Sequence, residues 1–148
     1  MISFFPDLNV WLALSDAAHR HNAEAWRWHG MLPADTRLVF CRYTQIGLLR
    51  LLTNSSVMAG QTLTLQKAWD VYERWRADPR IELYPEPHGM DQAFRHATGP
   101  FLSPPASKWV GDCYLLAYSK QLAATLVTFD GELLSLARKQ GHPAIAPA

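Results

Sequence analysis

Short β-branched and aromatic runs alternate along this chain with longer stretches of helical period, and that alternation constrains the fold more than any other feature. The runs are residues 2–6, Arg37-Leu-Val-Phe-Cys41, Ile81-Glu-Leu-Tyr84 and Thr125-Leu-Val-Thr-Phe129, of which the last is the clearest. Strands spaced this way, with helices between them, join into a parallel sheet through right-handed crossovers that cover both of its faces. The expected fold is therefore α/β, three layers (α/β/α) around a central, mostly parallel sheet. A chain of 148 residues, 49% of them apolar, buries one sizeable core, so residues 1–148 are expected to form a single domain.

Asn9 is placed to cap a helix carrying Val10, Trp11, Leu12 and Leu14, and a second helix spans about Asn22 to His29. Thr44 to Leu52 reads as a helix apolar almost all round, interrupted only by Gln45 and Arg50, and is expected inside the domain. Thr64 is a good N-cap for a helix in which Leu65, Ala68, Trp69, Tyr72 and Trp75 form a core-facing stripe ending at Asp78-Pro79. Met90 to Ala97 makes a short helix, Gly99 to Pro105 a breaker-rich loop, and Ser107 caps a helix running to about Leu122. A final helix follows Asp130-Gly131.

Composition narrows the function classes. A formal net charge of +1 is not that of a protein that coats nucleic acid, so any RNA contact must come from a local patch. The start has no basic n-region, and Asp7 interrupts its apolar run, so it reads as a strand and not a signal peptide. No uncharged run approaches the roughly 20 residues needed to span a bilayer, and a cytoplasmic location is expected. Cys41 and Cys113 have no CxxC spacing and read as reduced core residues. The six histidines lack ligand-like spacing, and no GxGxxG, Walker A or GxSxG pattern is present.

Three carboxylates carry the chemistry. Asp7 follows the first strand and Asp130 the last long one, so both project at the carboxyl edge of the sheet, where ligands bind in open parallel folds. Asp112 lies about one turn into the helix that begins near Ser107, where the positive end of the helix dipole faces that edge. Taken singly, Asp7 is explained as a helix cap, Asp130-Gly131 as a turn and Asp112 as a dipole partner. Converging, the three would repel one another and raise their own pKa values unless a hard divalent cation, Mg²⁺ or Mn²⁺, sat among them. Such a cation polarises a phosphodiester and acidifies a bound water, which is hydrolytic chemistry.

The segments Asp7-Leu-Asn9, Trp109-Val-Gly-Asp112-Cys-Tyr-Leu-Leu116 and Leu126-Val-Thr-Phe-Asp130, in that order, resemble the PIN domain. Tyr43-Thr-Gln-Ile-Gly-Leu-Leu-Arg-Leu-Leu-Thr-Asn54 is similar to the VapC-toxin branch of that family, and the resemblance covers essentially the whole chain. It implies a metal-dependent endoribonuclease that cuts structured RNA, often tRNA or rRNA, leaving 5′-phosphate and 3′-hydroxyl ends, and that a cognate VapB-type antitoxin silences. Asp7, Asp112 and Asp130 match the family's acidic positions, and Asn9 and Thr128 match polar positions that orient carboxylates or water. Gln45 stands where many PIN domains have glutamate, and a neutral amide adds no charge to hold a metal. Arg50 is a candidate phosphate contact or salt-bridge partner. The Trp-rich helices are expected to offer apolar surface to an antitoxin and to a second copy in a homodimer. The rival readings are a catalytically weak PIN-fold module that binds RNA or antitoxin, and a phospho-acceptor domain. The second lacks both a DxD and a late lysine.

Overall fold

The computed structural model describes all residues 1–148 and contains a five-stranded parallel sheet in the order β3-β2-β1-β4-β5. The strands are β1 (Ser3–Pro6), β2 (Arg37–Phe40), β3 (Ile81–Leu83), β4 (Thr125–Val127) and β5 (Ala144–Ile145). The helices are α1 (Leu8–Ser15), α2 (Asn22–Gly30), α3 (Arg42–Leu52), α4 (Ser55–Met58), α5 (Leu65–Arg76), α6 (Met90–Thr98), α7 (Ser107–Leu122) and α8 (Gly131–Lys139). The α/β/α expectation is met, and a parallel sheet requires the intervening helices because each strand must re-enter from the same end.

Alternation along the strands divides the core in two. Leu38 and Phe40 of β2 and Val127 of β4 face a cluster built with Trp11, Leu48, Leu52 and Tyr72 from α1, α3 and α5. Val39, Phe5 and Leu126, the neighbours in between, face a second cluster with Leu116, Tyr118 and Leu133 from α7 and α8. Successive side chains of a strand point to opposite faces, so a strand buried on both sides reads as an unbroken apolar run. Trp11 stacks on Phe40 at 3.8 Å between ring centroids, tying α1 to the sheet.

Several local expectations are corrected. Asp7, not Asn9, caps α1: its carboxylate accepts the Leu8 N–H at 2.6 Å, and Asn9 lies inside the helix. α3 begins at Arg42 because Thr44 is its third residue, with a hydroxyl that reaches back to accept the Cys41 N–H at 3.0 Å. α3 is also not buried all round: Ile46 is 49% exposed, whereas Gln45 is only 4% exposed. Ser107 is the first residue of α7 and caps nothing, Ala106 holding the cap position without a side-chain bond. Thr64 does cap α5, accepting from the Lys67 N–H at 3.2 Å, but Ala68, Val71 and Tyr72 form the buried face while Leu65 and Trp69 are exposed. A 3-10 turn, Gly99–Phe101, occupies the start of the breaker-rich loop. The sheet continues past β4 to β5, which pairs Leu126 with Ala144.

Candidate active site

The strand order reverses direction at β1: the chain steps outward through β2 and β3, then returns to lay β4 on the other side of β1. Loops leaving β1 and β4 diverge there and open a crevice at the carboxyl edge. Register fixes what stands at its rim, because Pro6 pairs with Val127 and the Asp7 N–H donates to the Val127 carbonyl at 2.8 Å. Asp7 thus lies beside Thr128, with Asp130 two residues further on.

A closed set of hydrogen bonds joins the two strand ends. The Thr128 hydroxyl donates to Asp7 Oδ2 at 2.8 Å and accepts from Asn9 Nδ2 at 3.1 Å and from the Asp130 N–H at 3.0 Å. Asn9 Oδ1 accepts the Phe129 N–H at 3.2 Å, so one amide holds both sides of the crevice. Asp130 Oδ1 caps α8 by accepting the Glu132 and Leu133 N–H groups at 2.9 and 3.4 Å, which leaves its second oxygen free. The His21 ring stacks on Phe129 with 4.4 Å between centroids and covers the turn between Thr128 and Asp130.

The acids strain against one another. Burial pushes the Asp7 carboxyl above the usual range, and the charge of Asp130 adds to the push, against the Thr128 and Leu8 hydrogen bonds. Asp112 enters from α7. Burial first, then repulsion by Asp7 and Asp130, raises it to about 6, while Lys108 one turn earlier pulls the other way. Lys108 is itself engaged with Glu132 at 2.5 Å. No hydrogen-bond donor of the protein reaches the Asp112 carboxylate, in contrast to Asp7 and Asp130.

The sheet edge thus brings Asp7, Asn9, Thr128 and Asp130 into one bonded group and sets Asp112 within its field. Gln45 is buried and its Oε1 accepts from Arg42 Nη1, three residues earlier on the same helix. Arg50 is not brought in. It is exposed, its guanidinium pairs with no carboxylate, and the salt-bridge alternative therefore fails. Arg42 and Lys108 are the cations that sequence reasoning missed. The i,i+3 spacing to Gln45 and the i,i+4 spacing from Lys108 to Asp112 were the available signals.

No three His, Cys, Asp or Glu side chains are drawn up into a closed ligand cage. The donor chemistry nevertheless fits a hard cation: the group offers carboxylate oxygens and no thiolate or imidazole, its carboxyls are destabilised as anions, and Asp112 and one oxygen of Asp130 have no protein donor. Mg²⁺ keeps several of its waters and needs only one or two direct carboxylates, so an open arrangement is compatible with it.

No family model matches the chain. Ribonuclease VapC41 of Mycobacterium tuberculosis is 38% identical to it over 128 residues, covering 84% of this chain and 86% of that protein. The sarcin–ricin-loop-cleaving toxin VapC20 of Mycobacterium tuberculosis shares the fold with a TM-score of 0.66 at 15% identity, over 89% of this chain and 93% of that one. VapBC2 from Rickettsia felis, solved on a promoter DNA fragment, matches with a TM-score of 0.67 at 11% identity, over 98% of each chain. The identity to VapC41, sustained over most of both chains and joined to an acid-lined sheet edge of the expected kind, shows that this chain belongs to the VapC family of PIN-domain ribonuclease toxins.

Proposed function

We propose that the chain hydrolyses RNA phosphodiester bonds with the help of Mg²⁺ or Mn²⁺ held by Asp7, Asp112 and Asp130. The observation that carries this reading is the convergence of Asp7, Asp112 and Asp130 at one sheet edge, where Asp112 and one oxygen of Asp130 have no protein donor and burial and mutual repulsion push the Asp112 carboxyl up to about 6. Asp7, Asp112 and Asp130 would hold the cation, whose charge would offset that of the phosphate and would make water more acidic. The residues do the positioning. Thr128 fixes one oxygen of Asp7, Asn9 fixes Thr128, and the α8 N-terminus fixes one oxygen of Asp130, so the free oxygens keep a constant orientation. Asp112 is the carboxyl least committed to the protein, which suits it to hold the cation directly, and the cation's charge would keep it ionised.

RNA cleavage assays test this directly. Purified chain, free of any antitoxin, is incubated with total RNA in Mg²⁺, Mn²⁺ or EDTA beside Asp7→Ala. Discrete fragments with 5′-phosphate and 3′-hydroxyl ends that require both metal and Asp7 are expected. Bound but uncut RNA under every condition favours the second reading, a binding module, for which the specific observation is Gln45: a buried amide already engaged by Arg42 in place of an acid.

The VapBC and FitAB structures similar in fold include toxin–antitoxin assemblies, which supports a VapB-type antitoxin as partner. We assign antitoxin contact and self-association to the exposed apolar side chains of the Trp-rich helices, Trp26 on α2 and Leu65 and Trp69 on α5. Sedimentation as a monomer at micromolar concentration would remove the homodimer. No helix is long and apolar enough to cross a membrane, consistent with the cytoplasmic location proposed for an enzyme acting on cellular RNA.

A further inference from the structure

One strand over from the acids, the same carboxyl edge holds a cavity of about 320 Å³ bounded by Cys41 and Arg42 after β2, Tyr84 and Glu86 after β3, and Tyr114 and Tyr118 of α7. Tyr43 stands between it and the acid site: its hydroxyl packs on Gly111, the residue before Asp112, and its ring lies 5.6 Å from that of Tyr114, a lining residue of the cavity. We propose that this cavity receives one unpaired guanine of the RNA next to the cleaved phosphodiester and that Glu86 reads it. The proposal rests on the nuclease reading above and adds its sequence preference.

The cavity is built rather than incidental. Three side chains of α7 pin its outer wall: Tyr118 Oη donates to the Tyr84 carbonyl at 3.0 Å, Tyr114 Oη to Glu86 Oε1 at 3.0 Å, and Gln121 Nε2 to the His88 carbonyl at 2.8 Å. Pro85 and Pro87 flank Glu86 and fix the backbone φ on either side. An exposed glutamate is thereby held in one orientation, although surface carboxylates ordinarily sample many. The Tyr114 bond uses one of roughly four lone-pair positions on the carboxylate, and no other protein donor takes the rest.

Carboxylate geometry selects the base. Guanine presents two adjacent donors, N1–H and the N2 amino group, which match the two oxygens of Glu86. Adenine and cytosine each set a ring-nitrogen acceptor beside their amino donor, and uracil sets carbonyls on both sides of its single donor, so each would turn a lone pair toward the carboxylate. Tyr43, 47% exposed, supplies an aromatic face for a splayed base, the ordinary way in which single-stranded RNA is held. Arg42 at the mouth has no carboxylate partner; one of its nitrogens donates to Gln45, and its remaining N–H groups can take the adjoining phosphate.

The test uses the full chain and a stem–loop RNA library with randomised loop positions, incubated with Mg²⁺ and read by sequencing the cut ends. Wild type is expected to select guanine at one fixed position beside the cut. In Glu86→Gln that preference falls at least roughly tenfold, the discrimination a bidentate base contact supplies. Replacing the selected guanine by inosine, which lacks the N2 amino group, lowers wild-type cleavage and leaves Glu86→Gln indifferent. Wild-type cleavage without guanine selection, or selection retained in Glu86→Gln, overturns the assignment. So does a Glu86→Gln protein that melts like wild type and cuts nothing, since Glu86 would then act on the reacting atoms. No metal-dependent cleavage by wild type overturns the nuclease reading beneath it.

Discussion

Replacing Asp112 with asparagine removes a charge that the folded protein holds at a cost, so stability and activity should move in opposite directions. The Asp112 carboxyl rises from 3.8 to about 6, and at about 1.4 kcal/mol per pKa unit the gross effect is about 3 kcal/mol. Asp112 is only half-buried, and solvent screening reduces this to about 1–2 kcal/mol. The sign follows from proton binding. Between pH about 4 and 6 the folded protein retains a proton that the unfolded chain has lost, so wild-type stability falls as pH rises through that window, and the whole cost is present above it. Asp7 is raised as well and repels Asp112, so the window belongs to the pair. Asparagine has no proton to lose. Urea denaturation in EDTA from pH 4 to 7.5 should therefore show the stability of Asp112→Asn relative to wild type climbing by about 1–2 kcal/mol and levelling off above pH 7. Taking the difference across pH cancels any constant packing effect. Mg²⁺ should stabilise wild type more than the variant, and the variant should not cut RNA. A stability difference that stays flat with pH would refute the reasoning, because the carboxyl would then be unperturbed.

Three further outcomes follow from the same geometry. Thr128→Val leaves Asp7 Oδ2, Asn9 Nδ2 and the Asp130 N–H without their shared partner, so denaturation should show a loss of about 1–3 kcal/mol, with slower cleavage. Gly111→Ala puts a methyl against the Tyr43 hydroxyl, the far end of a half-exposed ring that can swing aside; thermal melts should change little, because the helix gains from Ala over Gly, and cleavage should fall because the displaced ring adjoins Asp112. Lys108→Ala removes the one cation that holds the Asp112 carboxyl down, so the acid limb of the pH–rate profile should move to higher pH, with little change in melting temperature.

What the sequence disclosed depended on how many residues carried each signal. β1, β2 and β4 were readable because successive β-branched and apolar side chains fill both faces of a covered sheet, and the short β3 because Ile81 and Leu83 bracket Glu82 in the alternation of a strand. β5 has two residues and α4 has four, too few to show a period, and tertiary pairing alone defines β5. Asp7, Asp112 and Asp130 were legible because carboxylates that directly follow strands, or open a helix, occupy places set by topology. Asn9 looked like a cap because a cap and a cross-strand amide have the same local sequence; only its partners Thr128 and Phe129, more than a hundred residues away, distinguish them. Arg42 was not legible because the helix reads as beginning at Thr44, whereas α3 starts two residues earlier and that shift brings Arg42 within reach of Gln45.

The hydrogen bond from Thr128 to Asp7 closes a loop of 121 residues. During synthesis the first acid emerges 121 residues before the hydroxyl that orients it, and β4 and the last acid are made beside that hydroxyl. Local helices can form on the nascent chain, whereas so distant a pairing must wait for the residues that supply it. A polypeptide interrupted before β4 would carry Asp7 and Asp112 with nothing to hold them in register. The order of residues along the chain thus acts as a timer: the acid site can assemble only after β4 and Asp130 have been made.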